Sequence, residues 1–261
     1  MTTISPSKWI KGSEVVLGES ADVLASYYER QAHLVFTSPP YYNQRKEYAE
    51  YSSFKDYILQ MEAIWAECYR ILKDGGIIGI NIGNDREYDL PSWISCSLAR
   101  VGFKYVDTIV WDKIGEIGER GVHINNNLYY PNFRWEPIFI YRKPTKGEKL
   151  QLTGANPDFP QFEERFKSTI LTNLRTNVWQ VIPEKNSLHP AAFPVRLPYY
   201  AIMCYTPKGG VVVDPFGGSG TTAIAAEQIG DRTYLLVERA SEYHKMILKR
   251  ISENQQQGLN L

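Results

Sequence analysis

The sequence contains no run of about 18 apolar residues, the length a membrane-crossing helix needs, so no transmembrane helix is expected. Its N-terminal segment has no charged stretch followed by an apolar one, so no secretory signal is expected either. Cysteine is scarce. Cys68, Cys96 and Cys204 are widely spaced and form no CxxC pair, which leaves neither a zinc site nor a disulfide framework to propose. A reducing, cytoplasmic compartment is the expected location. An excess of either charge is also missing: 29 basic and 29 acidic residues give a formal net charge of zero. This excludes a broad electropositive coat for nucleic acid, though not a basic face offset by acids elsewhere. No internal repeat is present.

What is present is an alternation. Hydrophobic residues make up 43% of the 261 residues, enough for a globular core. Glu14–Leu17, His33–Thr37, Ile77–Ile82, Phe103–Trp111, Trp135–Tyr141, Gly210–Asp214 and Thr233–Glu238 read as strands. Ala21–Arg30, Ser53–Lys73, Pro91–Val101 and Ser219–Gly230 read as helices. Asp74-Gly75-Gly76 reads as the stop of the second helix, and Pro91 suits the first turn of the third. Strands alternating with helices predict an α/β fold, a seven-stranded, mostly parallel, Rossmann-like sheet covered on both faces. No helix separates Phe103–Trp111 from Trp135–Tyr141, so these two are expected as a reversed hairpin at the sheet edge. Residues 144–188 lose the rhythm and read as a segment inserted into a single domain spanning residues 1–261.

Val211-Val212-Val213-Asp214-Pro215-Phe216-Gly217-Gly218-Ser219-Gly220-Thr221-Thr222 reads as a buried strand, a tight turn and a helix start. Glycines there let the backbone approach a ligand and adopt positive φ, and the helix N-terminus offers free N–H groups. Glu238 ends the next strand, where a carboxylate suits a ribose diol. The pattern points to a nucleoside-containing cofactor, against the alternative of a tight turn with no ligand. Gly218-Ser219-Gly220-Thr221-Thr222-Ala223 also satisfies the dinucleotide pattern G-x-G-x-x-A. Asp214 weighs against a dinucleotide, because a carboxylate just before the glycines repels a pyrophosphate and attracts the ammonium of a methionine moiety. No lysine follows the glycines, which removes a P-loop.

Phe36-Thr37-Ser38-Pro39-Pro40-Tyr41-Tyr42 ends another strand, on the same expected sheet edge. Pro39 and Pro40 have no N–H, so they present only carbonyls on a stiff backbone. Ser38 adds a hydroxyl and Tyr41 an aromatic face. This set meets one chemical need. The exocyclic amino group of cytosine or adenine is a poor nucleophile because its lone pair is delocalised into the ring. Acceptors placed on its two hydrogens favour a pyramidal nitrogen able to attack a sulfonium methyl. Ser38 Oγ and the Pro39 carbonyl are the expected acceptors, fixed in advance of the reaction. Tyr41 is expected to stack on the base once it is flipped from the duplex. Neither a covalent intermediate nor a metal is required. In isolation, the strip also fits a plain Pro-Pro turn after a strand; the glycine loop in the same chain weakens that alternative.

Together the two motifs, strip first and glycine loop second, resemble the amino-group DNA methyltransferases of the permuted β type, which act on cytosine N4 or adenine N6. The resemblance covers nearly the whole chain. It takes in Leu72-Lys73-Asp74-Gly75-Gly76, similar to the lead into the strand after the catalytic helix, and His189-Pro190-Ala191-Ala192-Phe193-Pro194, similar to the helix start before the glycine loop. It implies a seven-stranded methyltransferase sheet with a reversed edge hairpin, S-adenosyl-L-methionine as cofactor and double-stranded DNA as substrate. Carried over residue by residue, Ser38, Pro39, Pro40 and Tyr41 are catalytic. Asp214, Phe216, Gly218 and Gly220 line the methionine part of the cofactor, with Thr37, Thr221 and Thr222 beside them. Glu238 holds the ribose hydroxyls. Gly18-Glu19 resembles the family's Gly-Asp at the adenine ring, with an acid one methylene longer. His189 and Phe193 are expected to close over the cofactor, with helix capping or packing the alternative for His189. A homodimer and a cognate restriction endonuclease are the partners to look for.

Cytosine C5 methylation is set aside, because that chemistry needs a thiolate nucleophile, which the families that perform it place after proline, whereas Glu67, Ser95 and Met203 precede the cysteines here. Serine before Pro-Pro-Tyr, and His-Pro-Ala-Ala-Phe-Pro, lean towards cytosine N4, with adenine N6 the alternative. Residues 144–188 are the expected target-recognition segment, with a solvated surface insertion as the alternative. They carry Lys146, Lys149, Arg165, Lys167, Arg175 and Lys185 for phosphates, and Asn173 and Asn177 for base edges, with Phe162 and Phe166. Tyr42–Tyr51 is expected to close over the flipped base, and Gly115–Asn127 to face DNA.

Overall fold

Leu34 and Phe36 point to one side of their strand and Val35 to the other, and each side meets its own apolar core. That alternation is the plan of the molecule. The computed structural model describes residues 5–42, 51–84, 87–114, 123–125, 128–130, 134–145, 174, 176–184 and 193–258, with the backbone alone at 123–125, 128–130 and 257–258. In chain order the strands are β1 Glu14–Leu17, β2 Ala32–Thr37, β3 Leu72–Asn81, β4 Lys104–Asp112, β5 His123–Asn125, β6 Leu128–Tyr130, β7 Trp135–Arg142, β8 Val178–Gln180, β9 Val211–Asp214 and β10 Thr233–Glu238. The helices are α1 Ser20–Ala25, α2 Phe54–Ile71, α3 Leu90–Val101, α4 Arg196–Tyr205, α5 Thr221–Ile229 and α6 Ser241–Gly258.

Eight strands form one sheet in the order β1-β10-β9-β2-β3-β7-β4-β8, and β5 pairs β6 in a separate ribbon. Among the described strands of the eight-stranded sheet, only β7 runs against its neighbours, β3 and β4. Helices α1, α2 and α3 cover one face, where Tyr57, Met61, Trp65 and Cys68 of α2 meet Val35, Ile78 and Val213. Helices α4, α5 and α6 cover the other, where Leu197, Ala225 and Ile247 meet Leu34, Phe36 and Leu236.

The α/β class and the mostly parallel sheet agree with the sequence reading; the strand count does not. The eighth strand, β8, pairs parallel to β4 at the outer edge and lies inside the segment read as an insertion. The β4–β7 pair is antiparallel as expected, but β3 and β8 flank it, so it is not the edge. Helix α2 starts where Ser53 Oγ accepts the Asp56 N–H at 3.1 Å. It ends at Ile71, because Leu72 is already extended. Asp74-Gly75-Gly76 therefore stops no helix. It forms an irregularity inside β3, where the register slips between Ala32 and Leu34 and Gly75 takes φ +78°. Helix α1 ends at Ala25, well short of Arg30, which sits at φ +58°. Helix α5 begins at Thr221, because Gly220 is left-handed at φ +77°.

The parallel strands deliver Leu17, Glu238, Asp214, Thr37 and Asn81 to one edge of the sheet. The reversed strand β7 begins at that edge with Trp135 and Glu136, opposite Asp112 and Trp111. Ligands of open α/β sheets bind along such an edge.

Candidate active site

Asp214 ends β9 and is 1% exposed. Its Oδ1 accepts from Thr37 Oγ1 at 2.5 Å and from the Phe216 N–H at 3.0 Å, and its Oδ2 accepts from Thr222 Oγ1 at 2.6 Å. No cation among the described residues pairs with it. Burial pushes its carboxyl up to about 7, against the pull of the hydrogen bonds from Thr222, Thr37 and Phe216. A buried carboxylate solvated only by neutral donors is a match for a cationic ligand. Thr37 is the last residue of β2, so this one hydrogen bond joins the proline strip to the glycine loop.

The loop itself is cross-braced. Gly217 N–H donates to the Val237 carbonyl at 2.8 Å, and Gly220 N–H to the Gly217 carbonyl at 2.7 Å. Glu238 is held by backbone donors: Gly218 N–H to Oε2 and Ala240 N–H to Oε1, both at 2.8 Å. Burial raises its pKa, and these donors oppose the rise. Ser20 Oγ donates to the Pro215 carbonyl at 2.5 Å and ties α1 to the turn. The Phe216 ring meets Trp65 edge-on at 6.0 Å. Glu19 is exposed and lies 3.8 Å from Arg239 Nε.

In the strip, Pro39 is buried, while Ser38, Pro40 and Tyr41 are partly buried. Tyr41 Oη accepts the Gly83 N–H at 2.5 Å and donates to Glu136 Oε2 at 3.4 Å. Burial, then the Glu136 charge, holds the phenol pKa well above its ordinary value, so Tyr41 is neutral. Tyr42 turns away into an aromatic cluster with Tyr51, Phe54, Tyr57 and Tyr88, at centroid distances of 5.0 to 6.2 Å. The strip is thus anchored on both sides, by Thr37 and by Tyr42.

Residues 32–249 match the DNA methylase family of N6 and N4 methyltransferases. The chain belongs to that family. Type II methyltransferase M.Cfr9I of Citrobacter freundii is 26% identical over 267 residues, covering 93% of this chain and 88% of the relative. Type II beta methyltransferase M.BslI of Bacillus sp. (strain NEB-606) is 26% identical over 254 residues; these cover 88% of this chain and only 26% of that protein. The DNA modification methylase TTHA0409 of Thermus thermophilus, solved complexed with S-adenosyl-L-methionine, superposes with a TM-score of 0.68. It is 26% identical, and the match covers 93% of this chain and 95% of that one.

Within this methylase the expected site residues divide. Thr37, Asp214, Phe216 and Thr222 form one hydrogen-bonded group, and Gly218 joins Glu238. The Thr221 hydroxyl is engaged by Ser219 at 2.8 Å and by Arg250 at 3.2 Å. Phe193 is not among them: it is buried edge-on to Phe36 at 5.9 Å, in the core under α4 to α6. His189 lies outside the described residues. So do Arg45 and Lys46, and all of residues 144–188 except 144, 145, 174 and 176–184. Asn177 Nδ2, expected to read base edges, donates to the Thr108 carbonyl at 3.3 Å.

Four residues with no motif to mark them pack around the strip and the glycine loop. Gly83 lies two residues beyond β3, Lys113 follows β4, Glu136 is the second residue of β7, and Arg250 comes from α6. Glu136 Oε1 is 2.5 Å from Lys113 Nζ, and both side chains are largely buried. Arg250 Nη1 donates to the Ser219 carbonyl at 3.0 Å. A glycine directly after the expected strand Ile77–Ile82 was the one available sequence signal, at Gly83.

Proposed function

We propose that this DNA methyltransferase transfers the methyl group of S-adenosyl-L-methionine to the exocyclic N4 of cytosine, in a short specific sequence of double-stranded DNA. One observation carries the reading: Thr37 Oγ1 donates to Asp214 Oδ1 at 2.5 Å, so the amino-accepting strip and the cation-accepting loop share one corner of the sheet edge. The bound S-adenosyl-L-methionine of the Thermus thermophilus relative supports the cofactor.

The residues divide the work as follows. Asp214 neutralises the positive charge of the methionine moiety in a dry setting, where that charge is worth most. Gly218 keeps side-chain bulk off the ligand, and Gly220 lets the loop sit against Ile247 of α6. Glu238, already fastened by two backbone N–H groups, would accept from the ribose hydroxyls, and Glu19 would meet the adenine ring. When bound, the cofactor supplies an electrophilic methyl on a sulfonium. Ser38 Oγ and the Pro39 carbonyl accept the two amino hydrogens of the flipped base and favour a pyramidal nitrogen. Pro40 stiffens that turn. Tyr41, held by Gly83 and Glu136, stacks on the base. The neutral Ser38 at the head of the strip favours cytosine. The part of residues 144–188 outside β8 and its flanks reads the sequence around it. The type II relatives support a cognate restriction endonuclease as the biological partner.

The test is nucleoside analysis of duplex DNA incubated with the chain and methyl-labelled cofactor. Label in N4-methylcytosine is expected, and it should vanish in Ser38→Ala combined with Tyr41→Ala. Label in N6-methyladenine alone would overturn the choice of base and leave the enzyme class standing. Label in RNA or protein but not in duplex DNA would overturn the substrate.

A further inference from the structure

We infer that Glu136, Lys113 and Gly83 are positioning residues that fix the Tyr41 ring against the flipped base. The inference rests on the stacking role given to Tyr41 above. Tyr41 Oη is gripped from two directions: the Gly83 N–H points at it from 2.5 Å, and Glu136 Oε2 accepts from it at 3.4 Å. Glu136 is itself fixed by Lys113, with Nζ 2.5 Å from Oε1 and side-chain exposures of 19% for lysine and 14% for glutamate. Lys113 Nζ also sits 4.8 Å from the Trp111 ring centroid.

These groups come from the ends of β3, β4 and β7, which meet because β7 is inserted backwards between the other two. The fit is tight. A Cβ on Gly83 would lie 2.8 Å from Tyr41 Oη and 3.0 Å from Glu136 Oε1. Glycine here thus admits the phenol oxygen to the backbone. A phenol held at its far end has its long axis fixed in place, which sets where a stacking surface for an extruded base can lie. An ion pair that served only to tie β4 to β7 would have no need of the tyrosine hydroxyl.

A double-mutant cycle separates the two roles. Glu136→Gln keeps the shape and removes the charge. In the full chain it is expected to lower kcat for DNA methylation about 10- to 100-fold, the scale of a misplaced reacting group. Affinity for S-adenosyl-L-methionine should be unchanged. In a Tyr41→Phe background the same change should have little further effect, because the hydroxyl through which it acts is gone. Gly83→Ala is the second probe. It should be damaging alone and partly rescued by Tyr41→Phe, which removes the oxygen it strikes. Fluorescence of 2-aminopurine at the target position should show the base extruded but less stacked in Glu136→Gln. Full activity in Glu136→Gln, additive effects in the cycle, or no rescue of Gly83→Ala would overturn the inference. Absence of methyl transfer by the unmodified chain would instead overturn the function on which it rests.

Discussion

Thr37 and Asp214 are 177 positions apart in sequence, and their side chains meet at 2.5 Å in the buried centre of the sheet edge. The bond binds the end of β2 to the end of β9, so the strip cannot shift without disturbing the Asp214 carboxylate. Thr37→Val keeps the volume and removes the donor. A hydrogen bond to a charged group contributes about 1.5–3 kcal/mol. Cofactor affinity should therefore fall about 10-fold or more, and kcat should fall with it. Thr37→Ser should restore most of both. Equilibrium dialysis with labelled cofactor and a methyl-transfer assay check this, and a kcat unchanged in Thr37→Val would show that the bond does not couple the motifs.

Asp214 should make binding pH-dependent. Its carboxyl stands at about 7 because burial outweighs the donors around it, and the neighbouring Glu238 charge adds to the rise. A raised carboxyl binds protons in the folded state that the unfolded chain has released at pH above about 3.9. The ligand-free protein should therefore lose stability as pH rises from there to about 7, and level off above. A cationic cofactor selects the ionised form, so binding below pH about 7 should release a proton and affinity should climb with pH. Titration calorimetry in buffers of different ionisation enthalpy reads that proton directly. Asp214→Asn should raise the thermal midpoint of the ligand-free chain at alkaline pH while abolishing cofactor binding. An affinity flat with pH in the unmodified chain would count against the assignment.

The parts of the site legible in the sequence were those written contiguously. The strip and the glycine loop each pack a strand end, a turn and their chemistry into a few adjacent residues. Gly83, Lys113, Glu136 and Arg250 were illegible because each is a single residue, brought in by an element whose place depends on the whole topology. The eighth strand failed for a different reason. Val178–Gln180 is too short for alternation to register, and it pairs with β4 at the far edge. Asp74-Gly75-Gly76 has the composition of a helix stop, yet β2 and β7 pair on either side of β3 and draw the turn into the strand. Helix α6 buries only a narrow stripe that includes Ile247 and Ile251, which a charged sequence conceals.

Arg250 should matter for the cofactor and not for DNA. Its Nη1 reaches the Ser219 carbonyl, Ser219 Oγ and Thr221 Oγ1 at 3.0, 3.4 and 3.2 Å. Its Nη2 lies 3.7 Å from Glu184, whose carboxylate also accepts the Val195 N–H at 3.0 Å. Arg250 thus clamps the glycine loop from behind. Arg250→Ala should raise KM for the cofactor at least about 5-fold, the effect of losing one bond of about 1 kcal/mol, and leave KM for DNA near its original value. Arg250→Lys, lacking the planar fork, should recover only part. Equal changes in both KM values would mean a general loss of folding, and thermal midpoints of the two variants would reveal it.

Two glycines with nearly the same φ separate strain from collision. Gly209 lies at φ +70° and Gly220 at φ +77°. A Cβ at Gly209 would meet nothing within 4 Å, whereas one at Gly220 would lie 2.8 Å from Ile247 Cγ2. Gly209→Ala should therefore show the left-handed penalty alone, about 1–2 kcal/mol, with cofactor binding intact at the opposite end of β9. Gly220→Ala should carry that penalty together with the clash against α6, and should also lose cofactor affinity, because the loop must move. Ile247→Ala makes its own cavity but removes the struck methyl. In its background, the added cost of Gly220→Ala should drop to that of Gly209→Ala. Denaturant midpoints of the variants measure each difference. If Gly220→Ala costs no more than Gly209→Ala in the unmodified background, the close approach of α6 to the loop is not what requires glycine there.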